Sequence, residues 1–203
     1  MKKILIGILA VSAFAAAPAL RAQGNRPVQF GISGGADFPV SDQKDVYKTG
    51  WNGTALLAFN FGTSPFGMRI DGSYHEMKTK DELQSFFLGS GKARIIDGTF
   101  DVVIGPKNMS VEPYFIGGGG AYDLRFEGED ITTGNAFSHS TTRFGWNVGG
   151  GIAFPLGPPE RSSRLFIEAR YTSISVNVDE FSNSVHTGGS RFTFVPVNIG
   201  FVF

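Results

Sequence analysis

The sequence predicts an all-β chain, an eight-stranded antiparallel up-and-down transmembrane β-barrel preceded by a cleavable signal peptide. Three observations carry this expectation. Two-residue alternation of apolar and polar residues recurs in eight runs bounded by Gly, Pro, Asn and Asp. The connections between the runs alternate short and long. An apolar leader stands before all of them.

The leader comes first. Lys2 and Lys3 form a basic start, "ILIGILAVSAFAAA" (4–17) is an apolar core, and "APA" (17–19) and "LRA" (20–22) are small-residue cleavage sites. This is the pattern of a secretory signal peptide over residues 1–22, removed after Ala22 to leave Gln23 first, with Ala19 as the alternative. The apolar stretch is short for a membrane helix of ~20 residues, and Pro18 interrupts it. No later stretch reaches the ~18 apolar residues such a helix needs. Cysteine is absent, which excludes a lipoprotein anchor, a disulfide framework and thiolate chemistry.

Residues 23–203 form the expected barrel domain. The first run, "VQFGISGGADF" (28–38), carries Val28, Phe30, Ile32, Ala36 and Phe38 on one face. The second, 50–61, carries Trp51, Ala55, Leu57, Phe59 and Phe61. In the third, 66–76, Phe66, Met68, Ile70 and Tyr74 oppose Arg69, Asp71, Ser73 and His75. In the fourth, 94–104, Ile96, Phe100, Val102 and Ile104 oppose Asp97, Thr99 and Asp101. The fifth, "EPYFIGGGGAYDL" (112–124), is ambiguous in phase; Tyr114, Ile116, Tyr122 and Leu124 are preferred as its apolar outer face. The sixth, 143–154, carries Phe144, Trp146, Val148, Ile152 and Phe154, and in the seventh, 164–173, Leu165, Ile167, Ala169 and Tyr171 oppose Glu168 and Arg170. The eighth, "FTFVPVNIGFVF" (192–203), sets Val195, Val197, Ile199, Phe201 and Phe203 against Phe194, Pro196, Asn198, Gly200 and Val202. Pro196 removes one ladder donor, so a bulge or a missing bond is expected there.

Connections 62–65, 105–111 and 155–163 are short, whereas 77–93, 125–142 and 174–190 are long and polar. An even-stranded membrane barrel sorts its turns and loops to opposite ends in this way. A lipocalin-type soluble barrel, with its apolar face inward, is the alternative. The charges decide for the membrane form. An ionised group facing lipid costs about 2–4 kcal/mol at the midplane, and several would exceed a typical stability of about 5–15 kcal/mol. In a narrow lumen they pair. A lumen ion network of Arg69, Asp71, Asp97, Asp101, Glu168 and Arg170 is therefore expected, as a structural plug in preference to a gate, because eight strands enclose just enough room for side chains. Trp51, Tyr74, Tyr114, Tyr122, Trp146 and Tyr171 are assigned to aromatic girdles.

At this point the residues resemble a known family. "VEPYFIGGGGAY" (111–122), "FGWNVGGGIAF" (144–154), "LFIEARYT" (165–172) and "FVPVNIGFVF" (194–203) are similar to the small outer-membrane β-barrel domains, which include the membrane domain of OmpA, OmpX and the opacity proteins. The resemblance covers essentially the whole mature chain. It implies insertion in a bacterial outer membrane. It also implies that Phe203, with the stripe Phe201, Ile199 and Val197, is the signal read by the barrel-assembly machinery. A periplasmic peptidoglycan-binding domain of the two-domain OmpA type is not expected.

Catalytic chemistry is scarce. The three histidines are His75, His139 and His186. "FSHST" (137–141) sets His139 beside Ser138 and Ser140, a loose likeness to a deacylase site that loop composition explains equally well. No Cys/His cluster has zinc spacing and no loop follows the EF-hand pattern. The glycine runs 117–120 and 149–151 have no following helix, which a phosphate loop needs. No cofactor, metal or catalytic residue is expected. Balanced charge, 18 basic against 18 acidic residues, offers no reason for a nucleic-acid partner. The expected partners are outer-membrane lipid and lipopolysaccharide, the assembly machinery during biogenesis, and a surface ligand held by the long loops; a monomer is expected. "FFL" (86–88) and "EGED" (127–130) are candidate loop contacts. The leading function is non-catalytic and envelope-structural or surface-interacting; a lipid A- or phospholipid-modifying enzyme and a small-solute channel are the alternatives.

Overall fold

A computed structural model describes residues 27–62, 64–83, 91–107, 109–129, 136–156, 163–176 and 190–203. The proposed signal peptide, "FFL" and His186 lie outside these residues. The strands are β1 (Val28–Pro39), β2 (Gly50–Asn60), β3 (Phe66–Lys78), β4 (Lys92–Ile104), β5 (Glu112–Glu129), β6 (Ala136–Leu156), β7 (Ser163–Val176) and β8 (Ser190–Val202). Each pairs antiparallel with its sequence neighbours, and β1 pairs with β8, so the sheet closes. Closure leaves no unpaired sheet edge around the wall, which hydrocarbon demands. Two one-turn helices, α1 (Gln43–Val46) and α2 (Asp81–Leu83), sit between β1 and β2 and between β3 and β4. The end where β1 begins and β8 stops is called lower here, and the end carrying these helices upper.

The period-2 alternation becomes an inside and an outside. Ile70, Ile96, Phe100, Val148, Ile167 and Ile199 are each between 45% and 56% exposed on the outer surface. Their neighbours Arg69, Asp71, Asp97, Asp101, Asn147, Glu168 and Asn198 are buried in the lumen. A continuous apolar exterior around a charged interior inverts the pattern of a soluble barrel and suits lipid. Among the described residues no helix is long and apolar enough to cross a membrane.

Two expectations are corrected. The phase of β5 is reversed: Ile116, Tyr122 and Leu124 are 1–2% exposed in the lumen, whereas Phe115 is 76% exposed outside. Tyr114 also turns inward, where its hydroxyl donates to Glu168. Glycines at 145 and 151 make this possible. A Cβ at Gly151 would lie 2.5 Å from the Tyr114 ring and hydroxyl, and one at Gly145 would lie 2.7 Å from the Tyr122 ring. The bare β6 wall seats both rings. Tyr114 and Tyr122 therefore do not belong to the aromatic girdle. The long connection 125–142 also contracts, because Arg125–Glu129 pairs with Ala136–Ser140 and prolongs the β5–β6 hairpin. His139 lies in that strand extension, opposite Phe126, and "EGED" contributes Glu127 and Glu129 to β5.

Pro196 has the local effect its missing N–H dictates. It pairs with Asp37 on the β1 side. On the β7 side the ladder runs to Ala169–Val197 and resumes at Thr172–Phe194 in the same register. The lapse is a gap in the ladder without an inserted residue.

Candidate functional site: the charged lumen and its two apolar closures

The lumen is layered. At the upper end Met77, Ala93, Ile95, Tyr122, Leu124, Ile174, Phe192 and Phe194 form one apolar cluster, with Tyr47, Phe126 and Val176 packed against it. At the lower end Leu56, Ala153, Phe166 and Val202 form a second, joined by Ala58 and Tyr114. The charged groups lie between. The alternation of β3, β4 and β7 points their charged residues inward, and antiparallel register levels them: Arg69 sits opposite Asp101, and Glu168 opposite Asn198.

Arg69 is the central donor. Its two terminal nitrogens each lie 2.8 Å from a Glu168 oxygen, a bidentate fork. Its Nε donates to Asp71 at 2.8 Å and its Nη2 at 2.7 Å, and its guanidinium lies 5.7 Å from the Phe166 ring centroid. Arg170 links the same carboxylates: Nε to Glu168 at 2.6 Å, Nη1 to Asp101 at 3.0 Å, and Nη2 to Asp71. Asn147 donates to Asp101 at 2.8 Å, Thr99 donates to it at 2.9 Å, and Tyr114 donates to Glu168 at 2.8 Å. Five of the six residues expected in one network are thus in direct contact. Asp97 is apart from them. It lies 3.1 Å from His75 Nε2, while His75 Nδ1 lies 3.0 Å from Asp37. Asn52 donates to that Asp37 at 2.8 Å.

Several members escaped the sequence reading. Tyr114 and Tyr122 were assigned outward. The upper apolar cluster was missed because an apolar lumen and an apolar lipid face carry the same residue types. Asp37 and His75 face inward by parity, but only the fold brings Asp37 of β1 within 3.0 Å of His75 of β3, across β2.

Of the girdle residues, Trp51 stacks obliquely with Tyr74 at 5.3 Å, and Trp146 with Tyr171 at 5.6 Å, all on the outer face toward the upper end. Above Trp51 and Tyr74 the outer face turns ionic: Arg94 contacts Glu76 at 3.1 Å and Glu127 at 2.8 Å. At the lower end Phe203 packs edge-on against Phe30 at 5.3 Å, and the two exchange backbone hydrogen bonds of 2.8 and 3.2 Å. Val197 and Ile199 face outward, with Phe201 partly covered beside Phe203.

The first loop caps the upper end. The Gln43 amide donates to the Arg191 carbonyl and accepts from the Thr193 hydroxyl at 3.0 Å each. Tyr47 packs on Phe192 at 5.7 Å, and burial pushes its hydroxyl pKa up to about 12. At the lower mouth a cavity of about 100 Å³ is lined by Gln29, Leu56, Lys107, Glu112, Arg164 and Phe166, among others. Burial there, helped by Arg164, lowers the Lys107 pKa. Among the described residues no group of three or more His, Cys, Asp or Glu is placed to hold a metal ion.

The comparisons agree with this architecture. The model of the outer membrane protein β-barrel domain matches residues 6–200. The crystal structure of Neisserial surface protein A is 14% identical with a TM-score of 0.56, over 87% of this chain and 96% of that one. A major outer membrane protein from Thermus thermophilus gives 14% and 0.55, over 87% and 98%. Ail of Yersinia pestis, in its complex with the heparin analogue sucrose octasulfate, gives 15% and 0.51, over 87% and 97%. At these identities the structures speak to fold. No curated protein matches the chain. With an apolar exterior, a charged lumen and a family model spanning nearly its whole length, the chain belongs to the outer membrane protein β-barrel domain family and resides in the cell outer membrane.

Proposed function

We propose that the protein is a non-catalytic, non-conducting barrel that serves the outer membrane structurally and makes surface contacts through its upper rim. The observation that carries this reading is the sealed lumen. Two guanidiniums tie three carboxylates across the barrel, and apolar clusters lie above and below them. An eight-stranded interior has little room beyond its side chains. The upper rim is the remaining place for contact, and loops on a rigid scaffold are where such function concentrates. In this reading the apolar belt contacts lipid and lipopolysaccharide, the Phe203 stripe is read by the assembly machinery, and the protein acts as a monomer.

Planar-bilayer recording tests the sealed lumen. Wild type and Glu168→Ala are both expected to give no discrete conductance steps. Regular steps from wild type, altered in Glu168→Ala, would replace this reading with a gated channel.

A further inference from the structure

The lower mouth of the barrel is built as a pocket. A cavity of about 100 Å³ opens there. Its inner wall is apolar: Leu56, Ala153, Phe166 and Val202 of the lower cluster face it, and they are 1–9% exposed. Arg69 and Tyr114 close its inner end, and both are committed to Glu168. The pocket is therefore blind, and a molecule that enters from below goes no further.

The rim carries cations. Arg164 lies 3.1 Å from Glu112 and donates to Gln29 at 3.3 Å. Lys107 follows β4, and its ammonium donates to the Phe66 carbonyl at 3.5 Å. This turn is tied to the preceding lower turn, because the Gly105 N–H donates to the Pro65 carbonyl at 2.9 Å. Among the described residues lining the pocket Glu112 is the one carboxylate, so Lys107 and Arg164 face a single anion. Burial, and Arg164 after it, lowers the Lys107 pKa, the mark of an ammonium short of negative charge. A partly desolvated ammonium above an apolar recess suits one negative charge joined to an apolar chain, since charge-assisted hydrogen bonds are the strong ones and apolar walls bury the rest. The recess sets the chain length. An apolar cavity of about 150 Å³ takes a benzene, so this one seats roughly four carbons.

We propose that the lower mouth binds a short-chain aliphatic monocarboxylate, with the carboxylate on Lys107 beside Arg164 and the chain against Leu56, Phe166 and Val202. The anion supplies the charge that Glu112 alone does not, and the chain fills the recess below Arg69. The protein holds this ligand without conducting it.

The test is a titration of the nitrogen-15-labelled barrel, folded in an uncharged detergent, with acetate, propanoate, butanoate, pentanoate, hexanoate and octanoate, read by amide chemical shifts. Saturable shifts are expected at Ala58, Gly105, Lys107 and Phe166. Affinity should rise about fourfold for each methylene up to pentanoate, the worth of one buried methylene, and then level off. Pentanol, which has the chain without the charge, should bind about tenfold more weakly, and Lys107→Met should lower pentanoate affinity by a similar factor with an unchanged thermal midpoint. Leu56→Trp, which fills the recess, should abolish the chain-length dependence; if it does not fold, Ala58→Leu serves in its place with the same expectation. Shifts that never saturate and spread over the lipid-facing amides overturn the proposal, because they report partition into the detergent. Equal binding of pentanol and pentanoate, or an unchanged affinity in Lys107→Met, also overturns it. An affinity that climbs through octanoate overturns the short-chain assignment in favour of a fatty acid drawn from the membrane.

Discussion

Replacing Arg69 by Met should be among the most damaging single changes in the barrel. The guanidinium makes five N–H···O contacts of 2.7–3.0 Å to Asp71 and Glu168, which are 2% and 1% exposed. Breaking a buried pair by removing one partner costs about 3–5 kcal/mol, because the other charge stays behind unpaired. Both carboxylates retain Arg170, and Glu168 also retains Tyr114. That residual pairing places the cost near the lower end, about 3 kcal/mol, a large fraction of a typical stability of about 5–15 kcal/mol. The double variant Arg69→Met/Glu168→Gln removes one charge of each sign and should recover more than half of the loss. The assay is urea unfolding in lipid vesicles, followed by the fluorescence of Trp51 and Trp146. A loss below about 1 kcal/mol, the size of an exposed ion pair, would refute the reasoning, as would a double variant no more stable than the single one.

Three further outcomes follow from the geometry. Gly151→Val should destabilise by about 1–3 kcal/mol, the usual cost of overpacking, since its Cβ would meet the Tyr114 ring at 2.5 Å and the Ile167 carbonyl at 2.7 Å; unfolding midpoints check this, and pairing with Tyr114→Ala should return part of the loss. Phe100→Arg, on the outer face opposite Ile70, should cost about 2–4 kcal/mol if it sits near the midplane; the same urea titration reads it. Deleting Phe203 removes its two backbone bonds and its ring contact with Phe30 at the closing seam; the fraction of protein reaching the outer membrane in cells should fall several-fold.

Where one face is charged and the other apolar, alternation alone assigned the strand faces. β3, β4 and β7 have the faces expected from Arg69, Asp71, Asp97, Asp101, Glu168 and Arg170, and β8 splits at Asn198 and Ile199 as its pattern implied. β5 failed because neither face carries a charge from Tyr114 to Tyr122, and residues 117–120, all glycine, have no side chains with which to mark a phase. The relevant signal lay on another strand: Gly145 and Gly151 of β6 make room for Tyr122 and Tyr114, a pairing visible only once register is known. The upper apolar cluster was hidden for a related reason. Met77, Ile95 and Phe192 continue the inward parity of His75, Asp97 and Phe194, but their apolarity matches lipid as well as a dry lumen. The prolonged β5–β6 hairpin was read as loop because polar residues on both faces beyond the membrane erase the period-2 signal.

Orientation of β5 is the most direct test of a charged lumen inside an apolar wall. In this cysteine-free chain, single cysteines at 114 to 122 carry nitroxide labels, and collision with oxygen and with a water-soluble nickel complex is measured in lipid vesicles. Positions 115, 117, 119 and 121 should show high oxygen and low nickel accessibility, with positions 114, 116, 118, 120 and 122 shielded from oxygen. The opposite alternation, with Ile116 and Tyr122 in contact with lipid, would contradict the account.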